Sequence, residues 1–221
     1  MGGMIPLSDA SRRPARSSVI TRGIIVANVC VFLLELMGGD DFVKQWSVIP
    51  ADIVAGNHWI TILSAMFMHA GWMHILGNMV FLWAFGPEVE DAMGRARYLM
   101  FYLLSGLGAS LAQVVAMPSS TVPNLGASGA IAGVMGAFLI TYPGDRIRTV
   151  VFFGWFARIT MVPAALLIGL WFRVQLFSGV GAVADVQTGG VAYMAHVGGF
   201  IFGALTGRLF ERSWRRPEWG S

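Results

Sequence analysis

The stretch Asn124–Gly136, NLGASGAIAGVMG, sets one serine, Ser128, between glycines and alanines at the mouth of a long apolar run. Small residues in a membrane helix let two backbones approach closely, and a serine among them commonly bonds its own carbonyl at i−4. Read alone, the stretch is packing material for a helix buried against another helix. Whether Ser128 is filler or a reactive group depends on what the rest of the chain brings to the same depth.

Working outward, the chain has 221 residues, 56% hydrophobic and 12% charged, where a soluble domain carries about 25% charged residues. Apolar runs cover 19–38, 74–87, 98–117, 126–142, 161–177 and 191–210, and each is a candidate to cross the roughly 30 Å of bilayer hydrocarbon. The expected fold is therefore all-α, a polytopic six-helix membrane bundle. Residues 1–18 would be an N-terminal tail, 19–210 the helical domain and 211–221 a C-terminal tail. Glu35, Met37, Gly38 and Gly39 give the first run no small-x-small cleavage site, so it reads as a retained span. Cys30 is the single cysteine, which excludes an intramolecular disulfide.

Basic residues fix the expected orientation. Arg12, Arg13, Arg16 and Arg22 lie before or at the start of the first run, Arg95 and Arg97 join the second to the third, and Arg146 and Arg148 follow the fourth. Arg208, Arg212, Arg215 and Arg216 fall at or after the end of the sixth. Lys44, and Arg173 near the end of the fifth run, are the exceptions, and a long side chain there can snorkel outward. The positive-inside rule places both termini in the cytoplasm, in a plasma (inner) membrane of prokaryotic type. Topology accounts for these short clusters, so no nucleic-acid partner is expected. Segment 149–160 is expected to be an interfacial stretch leading into the fifth span. Residues 39–73 carry Trp46, Trp59 and Trp72 with Ile49, Ile53, Ile60 and Ile62, which predicts a long outer loop partly embedded in the bilayer.

With that orientation the second, fourth and sixth spans all start at the outer face. His74 and Asn78 then lie in the first turns of the second span, Ser128 at the start of the fourth and His196 about one turn into the sixth. Polar residues inside spans are costly and mark sites by default, and four at one shallow depth are not explained by packing. His69 and His74 are five apart and no HExxH is present, which argues against metal; no pair of intramembrane aspartates supports aspartyl proteolysis. A serine beside an imidazole is the nucleophile–base pair of acyl transfer. His74, Asn78 and the N–H of Ser128 at a helix N-terminus could then receive the oxyanion. No aspartate is placed to orient the histidine, since Asp185 falls in a loop, and a Ser–His dyad held by packing is the simplest arrangement.

Four stretches then carry a resemblance: HAGWMHILGNMVFLWAFGPEVEDAMGRARYLMFYLLSG (69–106), NLGASGAIAGVMGAF (124–138), PAALLIGLWFRVQLFSG (163–179) and GGVAYMAHVGGFIFGAL (189–205). In their ordered HxxxN, GxSG and AHxxG they resemble the rhomboid family of intramembrane serine proteases. The resemblance implies Ser128 as nucleophile, His196 as general base, and His74 and Asn78 at the oxyanion, without metal or organic cofactor. It implies as partners the lipid bilayer and single-span or easily unravelled membrane helices, cut near the outer surface after small residues. Some members carry an aromatic residue one turn below the nucleophile; here it is Ala132, which gives Phe200 or Tyr193 the task of holding His196. The competing reading is a rhomboid-like non-catalytic binder of membrane helices, against which the retained Ser128 and His196 count.

One further expectation comes from spacing. Ser128, Ala132 and Gly136 form one stripe of the fourth span, and His196, Gly199 and Gly203 form one of the sixth. Two parallel stripes, polar at one end and small below, predict a close helix contact that brings the serine to the imidazole.

Overall fold

The computed structural model describes residues 3–154, 156–184 and 192–212. Six long helices coincide with the six apolar runs: α1 (Val19–Trp46), α4 (Trp72–Met93), α5 (Arg95–Ala116), α6 (Ser128–Thr141), α7 (Ala164–Ala184) and α8 (Tyr193–Phe210). Two short helices, α2 (Pro50–Val54) and α3 (Thr61–Ser64), fall between α1 and α4. Of the long helices, α1 and α5 are long and apolar enough to cross a membrane, and α6 and residues 164–177 of α7 form shorter apolar helices.

The expectation of an all-α fold needs correction. Three strands, β1 (Met4–Asp9), β2 (Arg146–Phe153) and β3 (Phe156–Pro163), form an antiparallel sheet in the order β1-β2-β3. The segment 149–160, expected as an interfacial stretch, is most of a hairpin that turns at Gly154, where φ is +60°. Its two arms, RIRTVVFF and FARITMVP, are rich in β-branched and aromatic residues that favour a pleated backbone. Pairing from Arg146↔Pro163 to Phe153↔Phe156 satisfies backbone groups that a surface-lying coil would leave open. Residues 4–9, inside the expected tail, supply the third strand. That strand is pinned by Arg12, whose guanidinium bonds both carboxylate oxygens of Asp145 and lies 3.9 Å over the Tyr142 ring.

The helical core is built on small residues. Gly199, Gly203 and Gly207 of α8 meet Gly129, Gly133 and Ala137 of α6 in the same order along both helices, so the two run parallel. A Cβ added at Gly203 would stand 2.6 Å from the Cα of Gly133, and one at Gly207 would stand 2.7 Å from the Cβ of Ala137. Each set recurs at i, i+4 and i+8, one helix face, and backbone approach of this kind gives membrane helices the packing that water would otherwise drive. Gly136, Gly199 and Gly203 all lie in the contact between the two helices, as expected. The register differs from the one expected by three residues: Gly199 meets Gly129 rather than Ala132, and Gly203 meets Gly133 rather than Gly136, which packs on the backbone of Phe200 and Ala204. Helix α5 closes on the same pair through small residues, with Ala109 against Gly129 and Ser105 against Gly133.

Residues 39–73 are a packed lobe. Helix α1 kinks at Gly39 (φ 62°, ψ −156°), and Val48, Ile53, Ile62 and Ala65 then form a second small core with Val114 of α5. A two-way bond between Val48 and Asn124 and a 2.8 Å bond from Gly126 N–H to the Ala65 carbonyl tie the lobe to the start of α6. On its other side Trp59, Ile60 and Trp72 are exposed.

Candidate active site

Ser128 is the first residue of α6, and no side chain caps the helix at Ala127. The first-turn N–H groups of a helix have no intrahelical partner, so this end presents donors and the positive pole of the helix dipole. Gly126, two residues earlier, has φ +136°, a region that disfavours any side chain. Its missing side chain matters for space as well. A Cβ there would lie 3.0 Å from both Cε1 and Nε2 of His74 and 3.4 Å from the Ser128 hydroxyl. The glycine keeps open a gap between His74 and Ser128.

The seam between α6 and α8 brings Ser128 to His196. The His196 Nε2 stands 2.6 Å from Ser128 Oγ, and the imidazole is 7% exposed. The other ring nitrogen, Nδ1, stands 2.7 Å from Oε1 of Gln175 on α7. Trp171, one turn earlier on α7, places its ring 5.8 Å from the imidazole at 43°, and Tyr193 approaches edge-on at 6.4 Å. Of the two aromatic residues expected to hold His196, Tyr193 is beside it, whereas Phe200 stacks on Phe172 at 4.3 Å. Asp185 lies outside the described residues.

His74 and Asn78 share one face of α4, being four residues apart. The Ala70 N–H donates to His74 Nδ1 at 3.2 Å, which leaves the proton of a neutral ring on Nε2, on the side of the gap. Asn78 is 8% exposed, and its amide Nδ2 has no hydrogen-bond partner among the described residues. A buried donor left unpaired costs about 1–3 kcal/mol, a cost a fold retains where the donor has an occasional acceptor. The structure thus gathers Ser128, His196 and His74 around one point, with Asn78 one turn along α4 from His74. A cavity of about 30 Å³ opens beside Ser128, lined by Gly106, Ala109, Gly129, Ala192 and Ala195 among others.

Two supporting residues escaped the sequence reading. Gln175 is one; the other is Glu35 of α1, whose two carboxylate oxygens each accept from the His69 N–H at 3.0 Å. His69, 2% exposed, packs its ring edge-on against His74 at 5.2 Å, so Glu35 anchors the turn that aims His74. Both had a signal: each is a polar side chain inside an apolar run, and intramembrane polar groups generally have partners.

Comparison with known proteins places the chain in a family. Residues 56–213 match the model of the rhomboid domain, and the chain belongs to the rhomboid family. It is 31% identical over 178 residues to "Rhomboid protease GluP" of Bacillus subtilis (strain 168), covering 78% of this chain and 31% of that one. It is 29% identical over 194 residues to "Rhomboid protein 1, mitochondrial" of Saccharomyces cerevisiae, covering 84% of this chain and 51% of the relative. A shorter match, 36% over 86 residues, is to "Putative rhomboid protease YdcA" of Bacillus subtilis, covering 39% and 43%. The chain thus spans between about a third and a half of these relatives' lengths. Rhomboid-family proteins are integral membrane proteins, and α1 and α5 suit that setting.

Proposed function

We propose that the protein is an intramembrane serine endopeptidase that cuts transmembrane segments of other membrane proteins near the outer surface, with Ser128 as nucleophile and His196 as general base. The single observation that carries this reading is the 2.6 Å contact between Ser128 Oγ and His196 Nε2, a hydrogen-bonded nucleophile and base in a buried site. In this reading residues 19–210 form the catalytic domain, the six long helices are six spans, and both termini face the cytoplasm of a prokaryotic-type cell. The exposed tryptophans of residues 39–73 suit a lobe partly embedded in the outer interface, where amphipathic aromatic rings prefer to sit.

The steps follow from the geometry. Ser128 Oγ bonds to the scissile carbonyl carbon while its proton passes to His196 Nε2. The carbonyl oxygen becomes an oxyanion in the gap kept open by Gly126, within reach of His74 Nε2–H and the free N–H groups of α6, with Asn78 as a further donor. The carbon–nitrogen bond then breaks as the imidazolium returns the proton to the leaving amine. Water, deprotonated by His196, releases the acyl group by the same path in reverse. A cavity of about 30 Å³, with Ala and Gly the commonest of its lining residues, suits a small side chain before the cut. None of these steps calls for a cofactor.

The test is reconstitution of the protein in liposomes with a single-span substrate, followed by mass spectrometry of the products. Ser128→Ala should yield no product while unfolding at the temperature of the parent. Continued cleavage by the folded Ser128→Ala variant would remove Ser128 as the nucleophile.

A further inference from the structure

We propose that Gln175 is a positioning residue that fixes the tautomer of His196; the inference rests on the Ser128–His196 reading above and adds a third member to it. A carboxamide oxygen can only accept. With Oε1 2.7 Å from Nδ1, the ring proton belongs on Nδ1, and the Nε2 lone pair is left facing Ser128 Oγ. That is the tautomer a general base needs. With the amide oriented as it is, Oε1 toward the ring, the opposite tautomer would set two acceptors against each other in a buried site and forfeit a hydrogen bond there, the costlier arrangement.

Helix α7 fixes two coordinates of the ring from one face. Trp171 and Gln175 are four residues apart, hence one above the other. The first bounds the imidazole plane at 5.8 Å and the second holds one edge. Rotating the ring by half a turn would exchange Nδ1 for a carbon and break both the Gln175 and the Ser128 contacts, so the pair of polar neighbours selects one rotamer as well as one tautomer.

The choice of glutamine has a physical reason. Its neighbours on α7 read LWFRVQLF, with Leu170, Val174, Leu176 and Phe177 exposed on the helix surface. In a helix this apolar a buried carboxylate carries a large desolvation cost, whereas a neutral amide carries a smaller one that a single good hydrogen bond offsets. Soluble triads use an aspartate to orient the histidine and to stabilise the imidazolium. A glutamine keeps the first role and gives up most of the second.

The experiment compares Gln175→Met, which removes the acceptor at similar volume, with Gln175→Glu, which keeps an acceptor oxygen. Three quantities are read in detergent micelles: the rate at which a fluorophosphonate labels Ser128, kcat and KM for a single-span substrate, and the ¹⁵N NMR spectrum of the imidazoles, assigned with His196→Ala. The wild-type spectrum should show His196 protonated on Nδ1. Gln175→Met should mix the tautomers and lower kcat and labelling about 10- to 100-fold, with KM and the unfolding temperature little changed; this is less than the ~10⁴-fold seen when a triad aspartate is neutralised. Gln175→Glu should recover most of the labelling rate. A wild-type His196 protonated on Nε2, a fully active Gln175→Met, or a Gln175→Glu variant no better than Gln175→Met would each overturn the proposal. The NMR result does not depend on turnover, so it separates failure of this proposal from failure of the protease reading, which Ser128→Ala decides.

Discussion

The α6–α8 seam and the β1–β3 sheet are two ways of holding distant segments together within one chain. The seam is held along its length by backbone contact: Gly199, Gly203 and Gly207 lie directly on the backbone of α6 or its alanine methyl. The sheet end is held by strand pairing and charge, with Arg12 clasping Asp145 and resting on Tyr142. The difference is one of tolerance. Backbone contact leaves no freedom of fit, because an interior at crystal-like density absorbs an added methylene only by moving a helix. A partly exposed ion pair can loosen, exchange with water or be lost at small cost. The serine and histidine lie at the end of the intolerant contact.

The largest expected effect therefore comes from the seam. In Gly203→Leu any side chain would overlap Gly133, so α8 must shift and His196 must leave Ser128. Cleavage and fluorophosphonate labelling should both fall to background in protein still extracted in helical form, as followed by circular dichroism. Normal cleavage by that variant would break the comparison at its strongest point.

Asn78→Ala should come next. Loss of one oxyanion donor costs about 10²–10³ in rate, and because the Asn78 amide makes no other bond among the described residues, stability should not fall. Steady-state cleavage and thermal unfolding measured together test both halves of that statement. Gly126→Ala should slow cleavage by about tenfold or more, because its methyl would occupy the gap between His74 and Ser128 and its φ of +136° is strained for any side chain. A faster label than parent at Ser128 would show that the gap is not where the acyl oxygen sits.

The smallest effect belongs to the sheet. Burial, then a hydrogen bond to Asp145, pushes the Asp9 carboxyl up to about 6. Asp145 is also raised by burial, but the bonds from Arg12 and Asp9 outweigh that and hold it below the usual carboxylate range. A raised carboxyl favours the folded form while protonated: that contribution is complete below about pH 4 and is lost as pH rises through about 6. Amide exchange in β1, corrected for its intrinsic pH dependence, should thus show less protection at pH 7.5 than at pH 5. Asp9→Asn should remove the difference, with cleavage unchanged. If Asp9→Asn altered cleavage as strongly as Asn78→Ala, the sheet and the seam would not be separable as described.

Much of the site was legible because its signals are local. Ser128, His196, His74 and Asn78 are polar residues in apolar runs at one depth, and a helix rises about 1.5 Å per residue, so equal depth follows from counting. The glycine stripes were legible for the same reason, with Gly136, Gly199 and Gly203 marked as contacts. Their register was not: Gly199 meets Gly129 instead of Ala132, because small shifts along and around a helix axis decide which of several small residues face each other.

By itself the sequence determined six apolar helices, their order and which residues could do chemistry, since hydropathy and helical period act within one segment. The sheet was hidden because a β-hairpin of apolar and β-branched residues has the composition of a membrane-interface stretch, and because its third strand comes from far away in the sequence, Met4 pairing with Val151. Gln175 and Glu35 were visible as polar residues in apolar runs but had no assignable partner. Only the tertiary structure could put Gln175 beside His196 and Glu35 beside His69, because a hydrogen bond is fixed by distance and direction between atoms on different elements, and no periodicity within either element encodes it.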